Sequence, residues 1–253
     1  MKPALLIFIA AFAGGFVNSI SGGGTLITFP VLVWTGMEPV IANATNTVAL
    51  WPGTIAALVA RRHDLRGTAR TLLLLAIPCI LGGLIGAAIL LHTPPRIFRL
   101  IVPGLMLFAS LVLGAQELLY RNAGRFAQES HEPSNRQWIF IGSVLFFIAV
   151  YGGYFGAGIG IMILALLGAT GLNDLHKTIA LRVFCSMTVN GIAAIYFAAS
   201  SSIEWNAAGS MAVAQIAGSW IGASVSRKID ALSLRRSIVA FGLVMAALLL
   251  KAA

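Results

Sequence analysis

The sequence predicts an all-α integral membrane protein made of two repeats of about four apolar segments, and three observations carry that prediction. Charge is scarce: of 253 residues, 58% are apolar and only 10% are charged, against about a quarter charged in a soluble domain. Apolar runs long enough for a membrane helix, roughly 20 residues each, recur along the chain. The second half also repeats the first at a constant offset.

With so little charge, lipid must cover most of the surface, and little sequence is left for a soluble domain. The formal charge of +9 does not point to nucleic acid. The basic residues sit in short loops between apolar runs, where they set topology against anionic lipid. Cys79 and Cys185 lie inside apolar segments and suggest neither a disulfide framework nor a metal site. The run from Ala4 to Phe12 lacks a clear cleavage site and reads as a retained first segment.

Taken in order, the apolar stretches are 4–34, 41–60, 71–91 and 97–119, then 138–172, 178–199, 207–225 and 237–250. The chain therefore divides into a first membrane repeat (1–120), a polar linker (121–137) and a second membrane repeat (138–253). An offset of 136 aligns Gly22 with Gly158, Gly24 with Gly160, Gly82 with Gly218, Gly86 with Gly222 and Arg99 with Arg235. The strongest block is GGLIGA against GSWIGA. Its glycines have the small-xxx-small spacing that lets helices approach closely in lipid, so packing is their expected role.

The first stretch of each half is too long and too rich in glycine for one simple span. The placement of Lys and Arg indicates its path. If every stretch crosses once, the basic residues divide nine against seven, with Arg182 inside a segment. If the first stretch of each half turns back, or crosses twice as a hairpin, they divide twelve against four. The second arrangement obeys the positive-inside rule. It gives each half an odd number of crossings, so the halves are expected to be inverted relative to each other, a recurring transporter design.

Candidate chemistry concentrates in three places. Arg182 lies in an apolar segment, where an ionised group usually faces a cavity, a partner or a substrate. No carboxylate lies deep in any segment, so Arg182 suits an anionic ligand held through its planar fork; the alternative is snorkelling beside Lys177. Ser21, Gly22, Gly23, Gly24 and Thr25 form a helix break whose amides and hydroxyls can face an anion at a helix N-terminus, or a tight packed kink. Gly158 and Gly160 inherit both readings. Asn43 to Thr47 is polar at the start of an apolar helix. Capping by Asn43 would explain one such residue, whereas Thr45 and Asn46 extend further, and the offset aligns Asn46 with Arg182. Ser186, Asn190 and Gln215 are secondary polar candidates, with interhelical hydrogen bonds as their ordinary use. His63-Asp64 sits in a basic loop, as expected for a solvated topology signal. Hydrolase, zinc-protease and nucleotide-binding motifs are absent, and the sequence calls for no cofactor.

Ser21-Gly22-Gly23-Gly24-Thr25-Leu26-Ile27-Thr28-Phe29-Pro30, followed by Ala44-Thr45-Asn46 and Pro52-Gly53-Thr54, resembles the sulfite exporter TauE/SafE family of DUF81-type permeases. The resemblance extends over essentially the whole chain. It implies a multi-pass secondary transporter of the bacterial inner membrane that exports small sulfur-containing anions such as sulfite or organosulfonates, with protons as an expected coupling ion. By position it assigns Ser21 to Thr25, Thr45 and Asn46 to the first-half motif, and Arg182, Ser186 and Asn190 to the second. The chain departs from the pattern at Ala180 and Leu181, where small hydroxyl residues are frequent, and at Ile159, which interrupts the second glycine block. These departures bear on substrate more than on fold. The rival reading is a membrane assembly factor or membrane-embedded enzyme, which predicts a closed apolar interface between the halves.

Overall fold

The computed structural model describes residues 3–20, 23–116, 134–168, 175–200, 202–225 and 230–252. Every regular element among them is an α-helix: α1 (Pro3–Ile20), α2 (Thr25–Trp34), α3 (Pro39–Ala60), α4 (Ala69–His92), α5 (Pro95–Gly114), α6 (Asn135–Tyr154), α7 (Ile159–Gly168), α8 (Leu175–Ala199), α9 (Trp205–Val225) and α10 (Ala231–Ala252). Six of these, α1, α4, α5, α6, α8 and α10, are long and apolar enough to cross a membrane. Helices α3 and α9 have 22 and 21 residues, about 30 Å each, but polar residues dilute their hydropathy. The short helices α2 and α7 follow the two glycine-rich stretches.

Local chemistry sets the helix starts. Pro39 opens α3, and the Glu38 carboxylate accepts from Val40 N–H at 3.2 Å, so Asn43 lies inside the helix and is not its cap. A capping box formed by Ser134 and Gln137 starts α6, which puts the end of the sequence-defined linker in a helical first turn; residues 121–133 lie outside the described residues. Asp230 caps α10 by accepting from Leu232 N–H, Ser233 N–H and the Ser233 hydroxyl. Prolines 30, 52, 78 and 103 lie inside helices, as membrane helices tolerate.

Packing is reciprocal between the halves. Helix α1 packs on α9 and α4 on α6, while α3 meets α8 and α5 meets α10. The glycine pairs lie at these crossings. Gly82 meets Phe146 and Ala149 of α6, and Gly86 meets Val150 and Gly153, so the two helices run in the same direction. Gly218 meets Phe12 of α1, and Gly222 meets Phe16 and Ser19, again a parallel pair. Helices α5 and α10 run antiparallel, with Gly114 against Val239 and Ser110 against Gly242. Helix α2 folds back along α1, because Gly24 lies against Asn18 and Thr28 against Gly14.

Leu73, Ile139, Phe147 and Trp220 are each 70–78% exposed, as lipid-facing residues are when lipid replaces water. Cys79 and Cys185, unrelated by spacing, are free, buried and in contact across α4 and α8.

Candidate functional site

Both short helices begin at one cavity. Its volume is about 200 Å³, and its lining includes Gly23, Gly24 and Thr25 at the start of α2 and Gly158, Ile159, Gly160 and Ile161 at the start of α7. Gly23 and Gly158 have φ of +89° and +80°, a left-handed backbone that favours glycine and aims each helix N-terminus into the cavity. Two positive helix ends therefore face the same space.

Arg182, Ser186 and Asn190 project into it from successive turns of α8. The guanidinium lies against Gly160, where a β-carbon would come within 3.0 Å of Nε and 3.2 Å of Nη2. Among the described residues, Arg182 is the only charged group in the lining. The Ser186 hydroxyl is buried and has no hydrogen-bond partner. Asn18 and Ser19 of α1, Thr47 and Thr54 of α3, and Gln215 and Ser219 of α9 complete the polar wall. An anion here would meet one cation, several neutral donors and two helix N-termini.

Thr45 and Asn46 are not in the lining. Both are fully buried and form part of the frame behind it. The Thr28 hydroxyl donates to Asn46 Oδ1 at 2.7 Å, and the Asn46 amide makes a long 3.5 Å contact to Thr25 Oγ1. Thr45 Oγ1 accepts from Glu204 N–H at 3.1 Å, and the Asn43 amide donates to Tyr154 O at 2.9 Å. Ser21 and Gly22 lie outside the described residues. The lining residues Asn18, Ser19 and Ser219 were not singled out from sequence, and Thr54 entered only as part of the Pro52-Gly53-Thr54 motif. They are ordinary polar residues, and only the packing of α1 and α9 brings the two helices' groups to this wall.

Cavity access is asymmetric. The rim residues Asn18, Ser19 and Ala57 are exposed, and the α3 lining runs from Thr47 to Ala57, toward the basic loop at Arg61 and Arg62. In the other direction lies a packed layer. Phe155, itself in the lining, meets Phe29 edge-on at 5.4 Å; Phe29 meets Phe98 at 6.5 Å, and Phe98 meets Tyr154 at 5.6 Å. Beyond it, at the other end of α2, is a cavity of about 430 Å³ lined by Val33, Trp34, Met37, Glu38, Arg99 and Leu248, among others. It is the larger of the two but mostly apolar, and its carboxylate is engaged in capping α3. Ligand sites are marked by convergent polar groups, and those occur in the smaller cavity.

A profile of the sulfite exporter TauE/SafE family matches residues 7–249. A probable membrane transporter protein of Haemophilus influenzae is 28% identical over 225 residues, 88% of this chain and 84% of that protein. The probable membrane transporter protein YfcA of Escherichia coli K12 is 28% identical over 254 residues, 99% of this chain and 91% of that protein. Together with six helices long and apolar enough to cross a membrane, these matches make the chain a multi-pass bacterial membrane protein. With the match running from α1 into α10, the chain belongs to the sulfite exporter TauE/SafE family.

Proposed function

We propose that this protein is a secondary transporter that carries a small sulfur-containing anion, sulfite or an organosulfonate, out of the cell. The observation that carries the reading is the convergence of Arg182 and the first turns of α2 and α7 on one cavity. Its volume lies below the roughly 300–1,000 Å³ of drug-sized ligand pockets, which favours a small solute. The rival reading needs a closed apolar interface at this point.

In this reading the halves are inverted repeats, each with one helix that turns back. The parallel α1–α9 and α4–α6 pairs support it, as does the fold-back of α2 along α1. The positive-inside rule then puts the loop at Arg61 and Arg62 in the cytoplasm, so the cavity loads from inside. The layer from Phe29 to Tyr154 is the closed outer gate. Rocking one half against the other would open that layer and close the rim at Ser19 and Ala57.

A thermal-stability screen of the purified protein against sulfite, sulfate, sulfoacetate, taurine and matched carboxylates tests the reading. Ligands that bind the folded state raise its melting temperature. Selective stabilisation by the sulfur anions is expected; stabilisation by none of them overturns the reading.

A further inference from the structure

Gln215 is 3% exposed, lines the cavity and leaves its amide Nε2 without a hydrogen-bond partner. An unpaired buried donor is costly, so native structures rarely keep one without a use. The surrounding packing holds this one in place. Gly15 of α1 sits directly against the Gln215 backbone, and one turn on, the Ser219 hydroxyl donates to Gly15 O at 3.0 Å. Helix α9 is thus pinned to α1 while the Gln215 amide stays at the cavity wall. The Ser186 hydroxyl, buried on α8 one turn after Arg182, is likewise unpaired.

We propose that Gln215, together with Ser186, binds the third oxygen of a pyramidal three-oxygen headgroup whose other two oxygens pair with the Arg182 fork. The proposal rests on the anion-transport reading and narrows it, making sulfite and short sulfonates substrates and carboxylates poor ones. A guanidinium pairs bidentately with two oxygens. A carboxylate has only two, so once both face the guanidinium no third oxygen is directed at Gln215 and Ser186, and only the in-plane lone pairs of the paired oxygens remain. A sulfonate offers them a third acceptor. Sites built with buried donors discriminate strongly against analogues that leave those donors empty. Both added donors are neutral, so the described wall presents one positive charge to a singly charged headgroup.

The test compares methanesulfonate with acetate, two singly charged anions with the same methyl substituent, by thermal stabilisation of the purified protein. In wild type, methanesulfonate should act at a concentration about tenfold or more below acetate, the equivalent of one hydrogen bond. Gln215→Leu and Gln215→Met should each raise the methanesulfonate requirement toward that of acetate and leave the acetate response unchanged. Ser186→Ala should do the same in part and serves as the readout if the Gln215 variants fail to fold. Equal potency of the two anions in wild type overturns the proposal, as does an unchanged ratio in the variants, and both results leave the transport reading standing. If neither anion stabilises wild type, the anion site itself is overturned.

Discussion

Asn46 and Arg182 fall on matching positions at the 136-residue offset, yet their surroundings in the structure differ. On α3 the polar run is engaged in holding helices together: Asn43 to Tyr154, Asn46 to Thr28, and Thr45 to the backbone of Glu204. On α8 the polar residues Arg182, Ser186 and Asn190 line the cavity, and the Ser186 hydroxyl has no protein partner. Residues 43, 45 and 46 of α3 thus tie helices together behind the cavity, whereas the α8 residues line it. At matching positions, the residue present and its partners decide whether it ties helices together or lines the cavity. The same contrast separates Ser219 from Gln215 on α9, where the first donates to Gly15 O and the second keeps its Nε2 without a protein partner.

Substitutions on the two helices should therefore fail in different ways. Asn46→Leu should lower stability most, by about 1–3 kcal/mol, because it removes the 2.7 Å acceptor of the buried Thr28 hydroxyl and leaves only its longer 3.2 Å contact to Gly24 O. Thermal unfolding without ligand checks this; an unchanged melting temperature would contradict the frame role. Gly160→Ala should leave stability nearly unchanged but push a methyl group against the guanidinium. Displacing one fork contact costs about 1–1.5 kcal/mol, roughly tenfold in affinity, and ligand-dependent stabilisation measures it. Thr45→Val should cost about 1 kcal/mol of stability with anion potency intact.

The smallest effect belongs to Asp230, outside the membrane-spanning helices. Its hydrogen bonds from Ser233 and from the backbone of Leu232 and Ser233 hold its carboxyl below the usual range. A depressed folded-state value means that the capping contribution is present above the unfolded carboxyl's pKa. It fades as pH falls through the lower folded value. Asp230→Asn should flatten that acid limb of the melting temperature and change little at neutral pH.

Hydropathy and glycine placement made the helical architecture legible, because in lipid every span must be apolar and small residues permit close crossings. Arg182 was legible for a related reason: an ionised residue inside an apolar segment demands a partner or a cavity. The division between frame and site was not legible. Nothing local to Asn43-Ala44-Thr45-Asn46-Thr47 reveals that its partners are Tyr154, Thr28 and Glu204, since two of those lie more than a hundred residues away. Gln215 stood out as polar in an apolar helix, but sequence could not distinguish an interhelical hydrogen bond from an amide left open at a cavity. That distinction depends on how α1 and α9 pack.

The proposed site holds the anion in the cavity between the two halves, by Arg182. It is tested most directly by efflux of radiolabelled sulfite from proteoliposomes, comparing wild type, Arg182→Ala and Thr45→Val at equal amounts of folded protein. Loss of a charge-assisted hydrogen bond, about 1.5–3 kcal/mol, predicts efflux reduced roughly 10- to 150-fold in Arg182→Ala, while Thr45→Val stays near the wild-type rate. Undiminished efflux from Arg182→Ala would contradict the account.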